Sequence, residues 1–85
     1  MNSSVTRSFR ERFQSLDPTI QQLARKNFRL WRDNPRHPSL QFKKVRDYWS
    51  VRVGLQYRAV ALLESDTFYW FWIGPHDEYE RLVSA

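Results

Sequence analysis

WSVRVGLQYRAVALLESDTFYWFWIG, residues 49–74, is the stretch that decides the fold. Trp49, Val51 and Val53 alternate with Ser50 and Arg52, the period of two expected of a half-buried strand. Gly54-Leu55-Gln56 turns the chain into a second run, Tyr57–Glu64, and Ser65-Asp66 turns it into a third, Thr67–Ile73. Runs joined by turns this short predict an antiparallel meander. The third run is apolar on both sides, with Phe68, Trp70 and Trp72 set against Tyr69, Phe71 and Ile73. A strand of that kind is covered on both faces, which predicts a central place in the sheet. Gly74-Pro75 ends it, and His76–Val83 reads as a short helix with Asp77 and Glu78 at its electropositive start.

Upstream the period is helical. Ser8 and Glu11 have the spacing of a capping box, and Phe9, Phe13 and Leu16 share one face, predicting a helix over 9–16. Asp17-Pro18 reads as an N-cap followed by proline in the first turn. Ile20, Leu23, Ala24, Phe28 and Trp31 form a second apolar stripe, which stops near Asp33-Asn34 because Pro35 cannot continue it. So short a link makes the two helices a hairpin. Ser3–Arg7 reads as a short first strand, and Leu40 and Phe42 alternate with Gln41 and Lys43 as the sheet begins. The expected architecture is α+β in two layers. An N-terminal helical hairpin packs on one face of an antiparallel sheet of three to four strands, with a short C-terminal helix. Trp49, Val51, Phe28 and Trp31 are expected in the shared core, and the other face is expected to be open.

Residues 1–85 make one domain, of a size that buries only ~60% of the surface its unfolded chain exposes. No cysteine is present, and two histidines, His37 and His76, cannot build a zinc centre by themselves. No metal and no cofactor are expected. Fourteen aromatic residues supply the buried area instead. No run approaches the ~20 apolar residues of a membrane span, and the first ten residues lack the apolar stretch of a signal peptide. With no cysteine, this predicts a cytoplasmic protein. Charge is uneven. Residues 1–58 carry thirteen Lys and Arg against four acids, whereas residues 59–85 carry one Arg against five. That split predicts a polyanionic partner, solubility being the competing explanation.

The run LDPTIQQLARKNFRLWRDNPRHPSLQFKKV (16–45), with YWSVRVG (48–54), YRAVALLE (57–64), FWIG (71–74) and HDEYERL (76–82), resembles the RelE/ParE superfamily of bacterial toxins. The likeness covers roughly residues 8–83. It implies a helical hairpin on a curved sheet and a cognate antitoxin as partner, with a homodimer and a heterotetramer both open. Some members of the family cut messenger RNA at the ribosome, without a metal; the ParE branch poisons DNA gyrase without being enzymes.

RNA carries its own nucleophile, the 2′-hydroxyl. Cleavage needs a group to take that proton, a cation beside the developing phosphorane charge, and a proton for the leaving oxygen. Arg58 matches the arginine that contacts the scissile phosphate in ribonucleolytic relatives; the alternative is an arginine snorkelling from the sheet. Lysines near Lys43 and Lys44 serve as base or phosphate contact in related toxins. Neighbours on a strand face opposite ways, so at most one enters a groove; Lys44 is taken as catalytic and Lys43 as an RNA contact. Arg46 and Arg52 are further candidate RNA contacts, or plain surface charge. His76 and Tyr79, three apart on a helical turn, are the candidate proton-transfer pair. Against that, Tyr79 fits a core with Leu82 and Val83, and His76 fits a helix start. His37, between prolines, reads as loop structure, and Trp70 and Trp72 as core more readily than as base-stacking rings.

Three functions follow: a metal-independent endoribonuclease acting on mRNA at the ribosome, a gyrase inhibitor on the same scaffold, and an inactive antitoxin-binding module. A proton-transfer pair favours the first, while the acids of residues 59–85 oppose RNA.

Overall fold

Thr6, rather than Ser8, starts the first helix, because its hydroxyl accepts from the Phe9 amide while Ser8 donates to the Phe71 carbonyl. The computed structural model describes residues 2–84. In chain order these form β1 (Asn2–Val5), α1 (Arg7–Gln14), α2 (Pro18–Asp33), a 3₁₀ turn (Pro38–Leu40), β2 (Lys43–Val45), β3 (Tyr48–Val53), β4 (Tyr57–Glu64), β5 (Thr67–Pro75) and α3 (His76–Ser84). Asp17 caps α2 by accepting from Thr19 N, and the helix runs to Asp33 as its proline and cap signals predict.

The two-layer α+β architecture is the one expected, but the sheet is larger and mixed. Its order is β1-β5-β4-β3-β2, with β1 parallel to β5 and the other pairs antiparallel. β5 is an interior strand between β1 and β4, covered on both faces as its two apolar sides predict, and β4 is the middle strand of the five. β1 is short and polar, as suits an edge, and it pairs only with residues 67–70 of β5. Beyond that point α1 closes the β5 edge: Ser8 donates to the Phe71 carbonyl and Arg12 Nε to that of Ile73, at 3.0 and 2.9 Å. The strand therefore continues through Gly74 and Pro75, which pair with Arg58 and Tyr57, and does not end before them.

Strict alternation fails at one place. Val60 pairs with Trp72 and Ala61 with Trp70, so Phe71 is an extra residue, a β-bulge. Before the bulge Phe68 and Trp70 face α2; after it Ile73 does, and Trp72 turns to the opposite layer. Leu40 is fully buried, but from the 3₁₀ turn, and β2 begins only at Lys43.

The main core lies under α1 and α2. Trp31 is its hub, edge-on to Phe42, Phe68 and Trp70. Val51 is buried there and Trp49 packs against it, as expected; Phe28 is not, being 41% exposed. Asn27 takes the sheet-facing place instead and donates to the Arg52 carbonyl, while Phe28 stacks on Trp31 from the solvent side. Gln21 fixes the helix–helix turn by donating to the carbonyls of Phe13, Gln14 and Leu16. Gly54 has φ +65° in the β3–β4 turn, and a Cβ there would meet Leu23 Cδ2 at 2.6 Å. The other face of the sheet is not bare: α3 folds onto it, and Tyr79 and Val83 join Val60 and Trp72 in a second, smaller core.

Candidate functional site

β3 and β4 place their alternate residues on the α3 side, and the polar Ser50, Arg52 and Arg58 are among them. Ser50 and Arg52 of β3 lie opposite Val60 and Arg58 of β4. Two guanidiniums directly opposite across a ladder destabilise the pairing, and among the described residues neither forms an ion pair. Each is held by backbone instead: Arg52 Nε donates to the Gly54 carbonyl at 3.0 Å, and Arg58 to that of Tyr57 at 2.9 Å. Partial burial, then the charge of Arg52, lowers the pKa of Arg58, with Tyr79 opposing. Such a pair concentrates positive potential where a phosphate would relieve it.

α3 brings in the second half. Its first residue is tied down by the His76 amide, which donates to the Gln56 carbonyl at 2.7 Å. The His76 ring stands 5.7 Å from the Tyr79 ring, and Arg58 lies over Tyr79 at 6.0 Å. Arg52, Arg58, His76 and Tyr79 are thus brought together. Tyr79 is buried, however, and its hydroxyl donates to Ser50 Oγ at 3.1 Å. His76 is accessible, its side chain 39% exposed, and its Nδ1 lies 3.2 Å from Glu80 Oε1.

The lysines separate as strand geometry requires. Lys43 pairs with Ser50 and shares the α3 side; Lys44 pairs with Trp49 and faces the other way. Arg46 sits at the tip of the β2–β3 hairpin with φ +57°, exposed and apart from Arg58 by sheet position. His37 caps the 3₁₀ turn, its Nδ1 accepting from the Ser39 amide. Trp70 belongs to the main core and Trp72 to the smaller one.

Three residues of this region went unread in the sequence. Glu80 is four residues after His76, a spacing that placed it on the same helical face. Ser50 is the buried polar residue of β3, on the Arg52 side. Arg12 gave no signal at all. It reaches from α1 over the Trp72 ring at 4.8 Å and bonds Glu78 of α3 at 3.3 Å. Glu78 and Glu80, two of the tail acids expected to repel RNA, are therefore engaged with Arg12 and His76. Among the described residues no three His, Asp or Glu side chains converge, and no helix is long and apolar enough to cross a membrane.

The ParE-like toxin domain matches residues 18–81, three quarters of the chain. The chain belongs to the ParE-like toxin family. That makes it a member of the RelE/ParE superfamily of toxins from toxin–antitoxin systems, as its motifs suggested. Solved structures share the fold of this toxin domain. The RelB–RelE antitoxin–toxin complex of Methanococcus jannaschii matches with a TM-score of 0.71 at 15% identity, over 92% of this chain and 95% of that one. The YoeB/ParE toxin of Agrobacterium tumefaciens matches at 0.69 and 16%, over 89% and 99%. The isolated RelE toxin of E. coli matches at 0.64 and 13%, over 98% and 95%. No curated protein matches the sequence.

Proposed function

We propose that this toxin is a metal-independent endoribonuclease that cuts mRNA at the ribosome and is held inactive by a cognate antitoxin. The observation that carries the reading is the Arg52–Arg58 pair on the same side of the sheet as His76, whose imidazole is oriented by Glu80. In the proposed step Arg58 and Arg52 neutralise the phosphate oxygens as the phosphorane forms. With Nδ1 held by Glu80, His76 has Nε2 left to take the 2′-hydroxyl proton, and the leaving 5′ oxygen takes its own from solvent. Lys43, exposed on the same side, contacts the RNA backbone. Tyr79 presents its ring to Arg58 and seats α3 on Ser50, and its hydroxyl takes no direct part. Lys44 and Arg46 contribute outside the reacting centre. Cytoplasmic action follows from the ribosome as target.

The burial of Tyr79 and the ParE-like family description favour a second reading, inhibition of DNA gyrase without catalysis. Induced expression without a partner, following translation and plasmid supercoiling separately, tests both. Rapid translation arrest with cleaved messages supports the nuclease. Loss of supercoiling with intact messages replaces it with the gyrase inhibitor, and normal growth leaves an inactive binding module. The partner is inferred from structural neighbours that are toxin–antitoxin complexes.

A further inference from the structure

α1 and α2 both lean on the sheet and are tied together at their turn by Gln21 and by Arg25 over Phe13, and between them and the sheet lies a cleft of about 350 Å³. Val51 and Trp70 line its floor, and Phe13, Phe28 and Trp31 its walls. Arg10, Arg25 and Arg29, all exposed, stand among its lining residues, which include no Asp or Glu. Arg25 lies over the Phe13 ring at 5.0 Å, which sets one of these guanidiniums against the apolar wall. One feature marks the cleft as unfinished by the chain itself: Phe28 stays 41% exposed beside it.

Size and charge together select the occupant. A dry cavity of ~150 Å³ holds one benzene ring, so this cleft holds about two groups of that bulk, within the range of small-molecule sites. A helix, ~10 Å across with a pitch of ~5.4 Å, exceeds the volume with a single turn and would rest on the mouth rather than enter. The lining wants an apolar body and the guanidiniums want a negative head. We propose that the α1–α2 cleft binds a small anionic amphiphile, a carboxylate on a medium-length alkyl chain. The carboxylate meets Arg25 and Arg29, and the chain lies against Phe13, Phe28, Trp31 and Trp70. The site is on the opposite layer from Arg58, so it stands apart from the nuclease reading.

Decanoate is the probe, titrated into the full chain below its micelle concentration. Heat is measured by calorimetry and the emission of Trp31 and Trp70 by fluorescence. Saturable binding of one decanoate per chain, with a change in emission, is the expected result. Acetate, the head without the body, should not bind. Decanol, the body without the charge, should bind about tenfold more weakly, since exposed guanidiniums screened by solvent each contribute little. Ala24→Leu places bulk in the cleft and should weaken decanoate about tenfold or more. Arg10→Gln, Arg25→Gln and Arg29→Gln together leave the core untouched and should bring decanoate to the decanol level. Absence of saturation, several decanoates per chain, or undiminished binding by both variants overturns the proposal. Equal binding of decanol overturns its anionic part. Arg58→Ala should bind decanoate like the parent, which keeps a failure here distinct from a failure of the nuclease assignment.

Discussion

The two sides of the β3–β4 ladder differ by one residue in register and by everything in chemistry. Toward α1 and α2 the strands present Trp49, Val51, Val53, Ala59 and Ala61, and the core they build turns on Trp31. Toward α3 they present Ser50, Arg52, Arg58 and Val60, and the small core there leaves room for two unpaired cations. Strand geometry lets one segment serve both ends, since successive side chains point to opposite faces. Stability is concentrated on one face, and the other carries an arrangement that lowers it, the opposed guanidiniums.

If that division is right, substitutions on the two sides should fail in different ways. Trp31→Ala, on the packed side, should cost about 3–5 kcal/mol, most of what a domain this small has, with activity lost only through unfolding. Chemical denaturation followed against residual activity checks this; a stable but inactive Trp31→Ala would break the division. Arg58→Ala, on the charged side, should behave in reverse. Message cleavage should fall about a hundredfold or more, with stability within ~0.5 kcal/mol of the parent because an unfavourable like-charge contact goes too. Undiminished toxicity of Arg58→Ala in induced cells would mean the cations are decoration.

Gly74→Ala probes the seam between the sides. The added Cβ would stand 2.7 Å from Trp72 Cζ2 and 3.0 Å from Arg12 Nη2, and a packed indole cannot withdraw as a flexible chain can. A cost of about 1–3 kcal/mol is expected, with a fall in cleavage because α3 carries His76. Thermal melting alongside a cleavage assay reads both. The smallest effect belongs to Tyr79→Phe, which removes only the bond to Ser50: ~1 kcal/mol of stability and little rate. His76→Ala should show the opposite balance, a large loss of rate with a similar melting temperature. A strong rate loss in Tyr79→Phe without destabilisation would return its hydroxyl to the chemistry.

The site was partly legible before folding. Arg58 stands out through its match to the phosphate-contacting arginine of ribonucleolytic relatives, and His76 with Tyr79 because a spacing of three shares a helical face. Glu80 shares the face of His76 by the same rule, although it stands in a tail whose acids form a single block of charge. Ser50 and Arg12 were not available. A serine in a strand has no signature until something docks over it, and Arg12 acts on residues more than sixty positions away.

What the sequence determined by itself is local: the caps at Asp17 and Pro18, the turn at Gly54, and the alternation that divides β3 and β4 into an apolar and a polar side. These are set by backbone dihedrals and near-neighbour spacing, and need no partner to be read. The tertiary structure alone decided the register of distant elements. β1 joined β5 in parallel, Phe71 bulged and sent Trp72 to the other layer, and α3 closed over Ser50. Edge pairing and helix docking minimise exposed apolar area and unpaired backbone groups over the whole chain, a sum that no short stretch of it contains.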